Sequence, residues 1–323
     1  MKSIGVVGAT GVVGRTIVQI LEEREFPVSR LFLFASAKSK GTTLDFRGEP
    51  VSVRTLGDSP DDALEIAFFA AGSAVSRKIV PDFVKRGTTV IDNSNAFRME
   101  PDVPLVVPEV NREDIIGGAS RIIANPNCST IQLVVVLAPL HRHFRLKRAI
   151  VSTYQSVSGK GFKGVRELRS QQGGAEEASV FPQRIADNLI PFIDEIAGDG
   201  YCLEETKLMR ETRKILKDET FHITATAVRV PIPHCHSESV NLEFDSDVRL
   251  AEVEEVLGSS AGVEYCGNSR IPSPADVVGT DAVWVGRLRR DRSQRNSLNL
   301  WIVADNLRKG AALNAVQIAE EVA

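Results

Sequence analysis

The stretch Ser3-Ile-Gly-Val-Val-Gly-Ala-Thr-Gly-Val-Val-Gly14, with the apolar positions that follow it at 17, 18, 20 and 21, decides the fold. It predicts a buried strand over 3–7, a glycine-rich turn and then a helix. Glycines let the backbone approach a pyrophosphate, and the N–H groups that begin the helix can bind it. The spacing Gly-x-x-Gly-x-x-Gly departs from the usual dinucleotide fingerprint, so the prediction of a nucleotide site depends on the strand–turn–helix context.

The end of the second predicted strand, Leu31-Phe-Leu-Phe-Ala35, indicates which dinucleotide binds. An NAD site places an acidic residue there to hold the ribose hydroxyls. This chain has Ser36-Ala-Lys-Ser-Lys40 and no carboxylate before Asp45. Hydroxyl groups and cations suit a 2′-phosphate, so we expect NADP, although the same residue types are common in solvated loops.

Strands continue to alternate with helices through the first part of the chain. Strands are predicted over 66–71 and 88–92, with a helix over 75–84 between them. The polar residues of 93–98 follow the second of these strands, at the end where open parallel sheets bind their ligands. The alternation predicts an α/β fold whose N-terminal domain is a Rossmann-like doubly wound sheet.

Size and composition limit the remaining possibilities. A chain of 323 residues has room for about two domains. Its net charge of −3 gives no reason to expect nucleic acid or an anionic membrane as partner, and no apolar run reaches the roughly 18 residues of a membrane helix. The cysteines at 128, 202, 235 and 266 and the cluster His234-Cys-His236 lack disulfide or zinc spacing. We therefore expect no metal, reduced thiols and a cytoplasmic protein.

The stretch Asn125-Pro-Asn-Cys-Ser-Thr130 is the strongest candidate for covalent chemistry. Pro126 disfavours helix at the residue before it, and Asn127 is a good N-cap type, so Cys128 is predicted to begin a helix. There the helix dipole and unpaired N–H groups favour the thiolate and offer an oxyanion hole. Most lone cysteines are small buried apolar side chains, so catalysis needs further support, and His236 is the candidate partner in a Cys–His pair.

The sequence pattern of the second half of the chain predicts a separate α+β domain that is built on a mostly antiparallel or mixed sheet. Strands are predicted over 149–157, 221–231, 239–244, 283–287 and 298–303, and helices over 203–216, 250–257 and 310–322. The segment 176–191 has no clear period, and the basic loop 289–295 is interpreted as a solvated hairpin tip.

Motifs in the right order from end to end resemble those of aspartate-semialdehyde dehydrogenase. They are Gly8-Ala-Thr-Gly-Val-Val-Gly14, Asp92-Asn-Ser-Asn-Ala-Phe-Arg-Met99, Val106-Val-Pro-Glu-Val-Asn111, Asn125-Pro-Asn-Cys-Ser-Thr130, Tyr154-Gln-Ser-Val-Ser-Gly159, Glu211-Thr-Arg-Lys-Ile215, Arg229-Val-Pro231, His236-Ser-Glu238, Val278-Gly-Thr-Asp281 and Val303-Ala-Asp-Asn-Leu-Arg-Lys-Gly310. The resemblance implies a homodimeric enzyme that uses NADPH to convert L-aspartyl 4-phosphate reversibly to L-aspartate 4-semialdehyde and phosphate. That step belongs to lysine, threonine, methionine, isoleucine and diaminopimelate biosynthesis. The implied domains are an NADP-binding domain of 1–127 and 307–323 and a catalytic and dimerisation domain of 128–306.

The same resemblance implies the role of each site residue. Cys128 would form an acyl-thioester, His236 would act as acid and base, and Gln155 would orient the substrate. Substrate and phosphate would be bound by Arg98, Glu204, Lys207 and Arg229, with Glu205 an alternative to Glu204 for the substrate amine. The cofactor would contact Gly8, Thr10, Gly11, Val12, Val13, Lys38, Ser39, Ser158, Gly159 and Asn306.

Three positions depart from the family pattern, and two other functions compete. Lys38 stands where Arg is common, Pro233-His-Cys235 where an Asn-Gly pair is usual, and Phe162-Lys163 where basic residues are usual. N-acetyl-glutamyl-phosphate reductase shares the glycine turn and the cysteine, but its motif resembles Asn-Pro-Gly-Cys-Tyr. A non-catalytic NADP-binding paralogue is the second alternative, and it should have lost Cys128, His236 or Arg229, all of which are present.

Overall fold

The computed structural model describes residues 1–56, 64–116, 120–267 and 269–323. Contacts divide the chain into two compact units, the first of Met1–Asn127 with Ala311–Ala323 and the second of Cys128–Gly310. Within the described ranges, no helix combines the length and the apolar character that a membrane span requires.

Seven strands form the sheet of the first unit. They are β1 (Lys2–Val7), β2 (Val28–Phe34), β3 (Thr43–Phe46), β4 (Glu49–Arg54), β5 (Ile66–Phe69), β6 (Thr89–Asp92) and β7 (Ile122–Ala124). Their order is β3-β4-β2-β1-β5-β6-β7, and every neighbouring pair is parallel except the hairpin β3–β4. The strand order reverses beside β1, which is where open parallel sheets bind their ligands. The doubly wound sheet predicted from the sequence is confirmed, and the β3–β4 hairpin is an addition to it.

The helices α1 (Val12–Glu23), α2 (Ser73–Lys85), α3 (Pro108–Asn111) and α4 (Glu113–Ile116) connect these strands. The predicted helix after the glycine turn is α1, and its residues at 17, 18, 20 and 21 are buried against the sheet. These positions recur with helical spacing, so one face of α1 is apolar and packs into the core.

Six strands form the sheet of the second unit. They are β8 (Leu146–Gln155), β9 (His222–Arg229), β10 (His236–Phe244), β11 (Val263–Tyr265), β12 (Val283–Arg290) and β13 (Ser297–Ala304). Their order is β11-β12-β13-β10-β8-β9, with β11–β12 and β8–β9 parallel and the other pairs antiparallel. The sheet is mixed, as expected, but β10 begins at His236, three residues before the predicted start. The predicted strand over 149–157 ends earlier, at Gln155, and Val157 lies in a 3₁₀ turn.

Helices α5 (Cys128–Phe144), α6 (Gly161–Gln172), α7 (Leu203–Leu216), α8 (Leu250–Ser259) and α9 (Pro274–Val277) complete the second unit. α5 is buried along most of its length, as expected for a helix that is apolar on every side. α7 has the bounds that the sequence predicted. α6 was not predicted, because its glycines and charged residues give only a weak helical pattern.

The last helix, α10 (Leu313–Val322), returns to the first unit and packs on α1, α3 and β6. The side-chain amide of Asn314 donates to the carbonyl oxygen of Val106 at 2.9 Å and to Oδ1 of Asn125 at 2.7 Å. Arg24 forms a two-point ion pair with Glu320 at 2.6 and 2.8 Å. The first unit therefore depends on residues from both ends of the described chain.

One acidic side chain is fully buried in the second unit. Glu238 on β10 lies opposite Thr153 on β8 and opposite Ile302 on β13. The amide of Gln132 on α5 interacts with its carboxyl without the geometry of a hydrogen bond, so neither carboxyl oxygen has a hydrogen-bond partner in the described part of the chain. Burial raises the pKa of Glu238 well above its ordinary value. The group is therefore neutral in the folded protein, because a buried unpaired carboxylate is too costly.

We predict that Glu238→Gln stabilises the protein increasingly as pH rises. Above the ordinary pKa of a glutamate, the unfolded chain releases this proton while the folded chain keeps it. The stability of the wild type therefore falls with pH, by up to roughly 1.4 kcal/mol per pH unit, until the folded group also ionises. Gln removes this linkage at nearly constant volume. Urea unfolding at pH 5, 6.5 and 8 should show a gap between variant and wild type that widens with pH.

Glu243→Gln on the same strand is the matched control. A hydrogen bond from Lys147 lowers the pKa of Glu243, so its removal should cost a little stability above pH 5, with no widening gain. A Glu238→Gln variant that is no more stable than wild type at pH 8 would contradict the assignment of a neutral buried acid.

Candidate active site

Three strands of the second unit place Arg229, Gln155 and His236 side by side. Gln155 on β8 lies opposite Arg229 on β9 and opposite His236 on β10. Residues paired across strands point to the same face of a sheet, so these side chains form one row, called the site row below. All three are buried. The row lies where β8 and β9 end and β10 begins, so loops meet it along one edge of the sheet.

The ring of His236 is held by the residue that follows Gln155. Its Nδ1 accepts a hydrogen bond from the backbone N–H of Ser156 at 3.1 Å, and the Ser156 hydroxyl lies 3.2 Å from the same nitrogen. Nε2 is buried, with no hydrogen-bond partner among the described residues. Burial, followed by the positive charge of Arg229, lowers the pKa of His236 to about 3. The ring is therefore neutral at physiological pH.

The first turn of α5 meets the site row through Gln155. The Gln155 amide nitrogen donates to the hydroxyl of Ser129, the residue after Cys128, and to Oε1 of Glu204 at 3.1 Å. Cys128 is the first residue of α5, as predicted, and is partly buried. A Cβ on Gly310 would lie 3.2 Å from the Cβ of Cys128, so glycine allows close packing there. The sequence did not identify Gly310 as a neighbour of the thiol.

Arg229 brings positive charge to the thiol. Burial lowers its pKa, and the negative charges of Glu204 and of the Cys128 sulfur act in the opposite direction. Nη1 donates to the carbonyl oxygen of Ser156 at 2.6 Å. A Cβ on Gly159 would lie 2.9 Å from the same Nη1 atom, so this glycine makes room for the guanidinium. The sequence had predicted Gly159 only as a cofactor contact.

Glu204 and Lys207 on α7 continue the polar contacts. Lys207 Nζ donates to Glu204 Oε2 at 3.1 Å and to Asp194 Oδ2 at 3.0 Å. Burial tends to lower the pKa of Lys207, but the charges of these two carboxylates outweigh it and raise the pKa. Lys207 is therefore a cation held between two acids.

Glu205 has a different role from Glu204. Its Oε2 accepts a hydrogen bond from the N–H of Cys202 at 2.7 Å, which caps the start of α7. Its Oε1 accepts from the N–H of Ala227 on β9 at 2.8 Å. Both oxygens anchor the backbone, whereas Glu204 contacts Gln155 of the site row. This geometry favours Glu204 over Glu205 as the site carboxylate.

Asp194 and Lys160 join this network although the sequence did not single them out. Asp194 Oδ1 accepts from Lys160 Nζ at 2.5 Å. Burial tends to raise the pKa of Asp194, but the hydrogen bond from Lys160 and the charge of Lys207 lower it to about 2. Lys160, Asp194 and Arg229 line a cavity of about 450 Å³. No periodic or motif signal marks Asp194, so only the structure could find it.

Asn306 and Ser158 were predicted to contact the cofactor. Asn306 forms hydrogen bonds to Ser158 and to the residues beside His236. Asn306 Oδ1 accepts from the N–H of Cys235 at 2.9 Å and from the hydroxyl of Ser156 at 3.2 Å. Asn306 Nδ2 donates to the Ser158 hydroxyl at 3.0 Å. Cys235 has φ +69°, in the left-handed region that glycine favours. It stands where the family pattern has Asn-Gly, so the departure noted in the sequence falls on a strained residue.

Arg98 lies in the first unit. Its Nε donates to the carbonyl oxygen of Asn125 at 2.9 Å, and its Nη2 donates to that of Asn93 at 3.0 Å. The buried guanidinium thus holds together the loops that follow β6 and β7. Its predicted role in phosphate binding has to be compatible with this bracing role.

The glycine turn of the first unit fits a pyrophosphate. Gly8 has φ +88°, and a Cβ there would lie 2.5 Å from the carbonyl oxygen of Ala70. A Cβ on Gly14 would lie 2.3 Å from the carbonyl oxygen of Gly8. α1 begins at Val12 with Gly11 as its N-cap and no side-chain cap. The first-turn N–H groups are thus presented by a turn without bulky side chains, which suits a phosphate group.

The end of β2 fits a 2′-phosphate. Lys38 and Ser39 lie in a 3₁₀ turn over Ala37–Ser39, and the Ser39 hydroxyl is 3.3 Å from that of Thr10 in the glycine turn. Arg15 Nε donates to the carbonyl oxygen of Thr10 at 3.1 Å, which adds a cation that the sequence did not single out. Hydroxyls and positive charge therefore meet beside the glycine turn.

Two family models match the chain. "Semialdehyde dehydrogenase, NAD binding domain" matches residues 3–117, and "Semialdehyde dehydrogenase, dimerisation domain" matches residues 137–309. The chain is 48% identical to aspartate-semialdehyde dehydrogenase of Aquifex aeolicus over 98% of this chain and 96% of that protein. It is 46% identical to the enzyme of Shewanella violacea over the same shares of the two chains.

Solved structures give the same relationship. Aspartate semialdehyde dehydrogenase II of Vibrio cholerae complexed with ASA superposes with a TM-score of 0.97 at 43% identity, covering 100% of this chain and 98% of that one. The enzyme of Candida albicans with NADP superposes with a TM-score of 0.78 at 26% identity, covering 100% and 98%.

We predict that Lys38→Glu weakens NADP binding by about tenfold or more and leaves NAD binding nearly unchanged, because only NADP carries the 2′-phosphate. Fluorescence titration of the two cofactors measures both affinities. Lys78→Glu, an exposed charge reversal on α2, is the matched control and should change neither. Equal loss of NADP and NAD affinity in Lys38→Glu would place Lys38 away from the 2′-phosphate.

Proposed function

The chain belongs to the aspartate-semialdehyde dehydrogenase family, and from that membership we propose how its own residues perform the reaction. The enzyme uses NADPH to reduce L-aspartyl 4-phosphate to L-aspartate 4-semialdehyde with release of phosphate, reversibly. This activity, its NADP dependence and its place in amino-acid biosynthesis agree with the predictions made from the sequence. The dimerisation domain makes a second copy of the chain its partner.

The two competing functions lack support. Full-length similarity runs to aspartate-semialdehyde dehydrogenases, and Asn127 and Ser129 flank the cysteine where the reductase motif resembles Gly and Tyr. Cys128, His236 and Arg229, which a non-catalytic paralogue should have lost, are all present in the same unit.

Cys128 is the proposed nucleophile. Its sulfur attacks C4 of the acyl phosphate, the C4–O bond to phosphate breaks, and an acyl-thioester remains on the chain. The positive end of α5 and the charge of Arg229 stabilise the attacking thiolate. N–H groups of the first turn of α5 can bind the developing oxyanion. The single observation that carries this proposal is the site row, which meets the first turn of α5 through Gln155.

Arg229, Glu204 and Lys207 are the proposed substrate ligands. Arg229 presents a fork of N–H donors that suits the α-carboxylate, and its buried guanidinium is held in place by the hydrogen bond to the Ser156 carbonyl oxygen. Glu204 can bind the α-ammonium, since it holds a cationic group, Lys207, in the resting protein. Lys207 is then the ligand for phosphate.

His236 handles the proton at the carbonyl oxygen. The Ser156 N–H can only donate, so Nδ1 must accept and the neutral ring carries its hydrogen on Nε2. That N–H can donate to the oxyanion formed when sulfur attacks the carbonyl. A substrate carboxylate on Arg229 would offset part of the charge that lowers the pKa of His236, so proton exchange with the thiohemiacetal becomes easier in the complex.

The first unit is the proposed NADP-binding domain, with its glycine turn and the residues Thr10, Lys38 and Ser39 as cofactor ligands. Bound NADPH supplies the hydride that reduces the thioester. We also propose that the protein acts in the cytoplasm, because a catalytic thiol persists where cellular reductants keep cysteines reduced.

We predict that Cys128→Ala abolishes turnover and leaves NADP affinity unchanged, because the variant cannot form the thioester. The assay follows NADPH formation from aspartate semialdehyde and phosphate, with cofactor titration in parallel. N-acetylglutamate semialdehyde serves as the alternative substrate, and wild type should not turn it over. Activity of Cys128→Ala near that of wild type would exclude the thioester route.

Cys266→Ala is the matched control, since Cys266 is a partly exposed thiol of the second unit outside the site row. It should retain both turnover and cofactor binding. Turnover of N-acetylglutamate semialdehyde by wild type would support the competing reductase, and turnover of neither aldehyde by a folded wild type would support the non-catalytic paralogue.

A further inference from the structure

The segment that carries Asp194 is fixed at both ends to elements of the site. Ile190 exchanges two backbone hydrogen bonds with Arg229, at 2.8 and 3.1 Å. Ile196 bridges to Cys202 at the start of α7. Asp194 itself has φ +65°, a left-handed conformation that aspartate adopts more readily than most residues other than glycine. The backbone on both sides of Asp194 is therefore fixed, which limits where its carboxylate can lie.

The Asp194 carboxylate takes one ammonium on each oxygen. Lys160 contacts Oδ1 at 2.5 Å and Lys207 contacts Oδ2 at 3.0 Å. Side-chain exposures of 38% for Lys160, 26% for Asp194 and 21% for Lys207 leave all three groups accessible to a solute. Lys160 is thereby brought to the same place as Lys207, one of the two residues, with Arg98, that the resemblance assigns to phosphate.

An anion that binds these lysines has to share them with Asp194. Two effects then oppose each other. The carboxylate holds the lysine side chains in place, which favours binding, but it also repels a second anion over a few ångströms. Phosphate carries more than one negative charge, and Lys207 stays paired with Glu204 when Asp194 is removed, so little ordering is lost and the repulsion is the larger effect.

We propose that Asp194 determines phosphate affinity by competing with phosphate for the ammonium groups of Lys160 and Lys207. The proposal depends on the proposed role of Lys207 in phosphate binding. It makes Lys160 a phosphate ligand beside Lys207, and it gives departing phosphate a competitor within the chain. After the acyl group has passed to Cys128, the carboxylate returns to both lysines and favours release of phosphate.

The test measures phosphate directly and in turnover. Asp194→Asn should lower the dissociation constant of inorganic phosphate, and its KM in the oxidative direction, by about twofold to fivefold, the range of an ion pair partly open to solvent. The dissociation constant comes from protection of Cys128 against iodoacetamide, which needs no turnover. The KM for aspartate semialdehyde should stay unchanged, because its carboxylate binds elsewhere. Lys160→Met should raise both phosphate constants.

Glu195→Gln is the matched control. It removes the same charge from the next residue, whose exposed carboxylate forms no ion pair with either lysine in the described part of the chain. Its phosphate constants should equal those of wild type. Equal effects of Glu195→Gln and Asp194→Asn would reduce the role of Asp194 to general electrostatics and overturn the proposal.

Two other results would overturn it. If Asp194→Asn leaves phosphate binding unchanged or weakens it, the carboxylate does not compete with phosphate for the lysines. If Lys160→Met leaves phosphate binding unchanged, Lys160 is not a phosphate ligand. This variant still tests the proposal if Asp194→Asn fails to fold. If wild type does not turn over aspartate semialdehyde, the proposed function fails, while the alkylation experiment still decides the role of Asp194.

Discussion

The cross-strand register of β9, β8 and β10 is the constraint on which the site depends. Side chains alternate between the two faces of a sheet, so a slip of one residue between β8 and β10 would turn His236 away from Gln155 and from α5. Several contacts fix the register at this edge. Ser156 binds the ring of His236, and Asn306 ties Cys235, which precedes it, to the end of β8. The strain of a left-handed Cys235 is tolerated because these bonds hold the backbone there.

Charge in the second unit is arranged as an alternating series. Positive and negative side chains alternate from the buried site row to the open cavity, in the order Arg229, Glu204, Lys207, Asp194 and Lys160. Burial alone would disfavour each charge, and the opposite charge of a neighbour offsets that cost. Among the described residues, neither His236 nor Glu238 forms an ion pair, and both groups are neutral. The ring that exchanges a proton is therefore uncharged at rest, although the charge of Arg229 lies in the same row and lowers its pKa.

Long periodic elements and glycine turns could be predicted from the sequence, and short irregular ones could not. The doubly wound sheet, the start of α5 at Cys128 and the bounds of α7 followed from pattern and capping. The β3–β4 hairpin and α6 did not, because their patterns are short or mixed. Glu204 and Glu205 are adjacent and chemically identical, so only their contacts with Gln155 and with Cys202 distinguish them. Asp194 and Gly310 reach the site through tertiary packing, which leaves no local signal.

The order of the chain also constrains how the protein is made. The second unit is one continuous run, 128–310, whereas the first needs α10, which follows it. On the ribosome, the second unit emerges whole and can fold while the first still lacks its last helix. Until α10 arrives, the apolar face of α1 that it covers stays open to solvent in the nascent chain. Such a surface is a natural target for chaperones during synthesis.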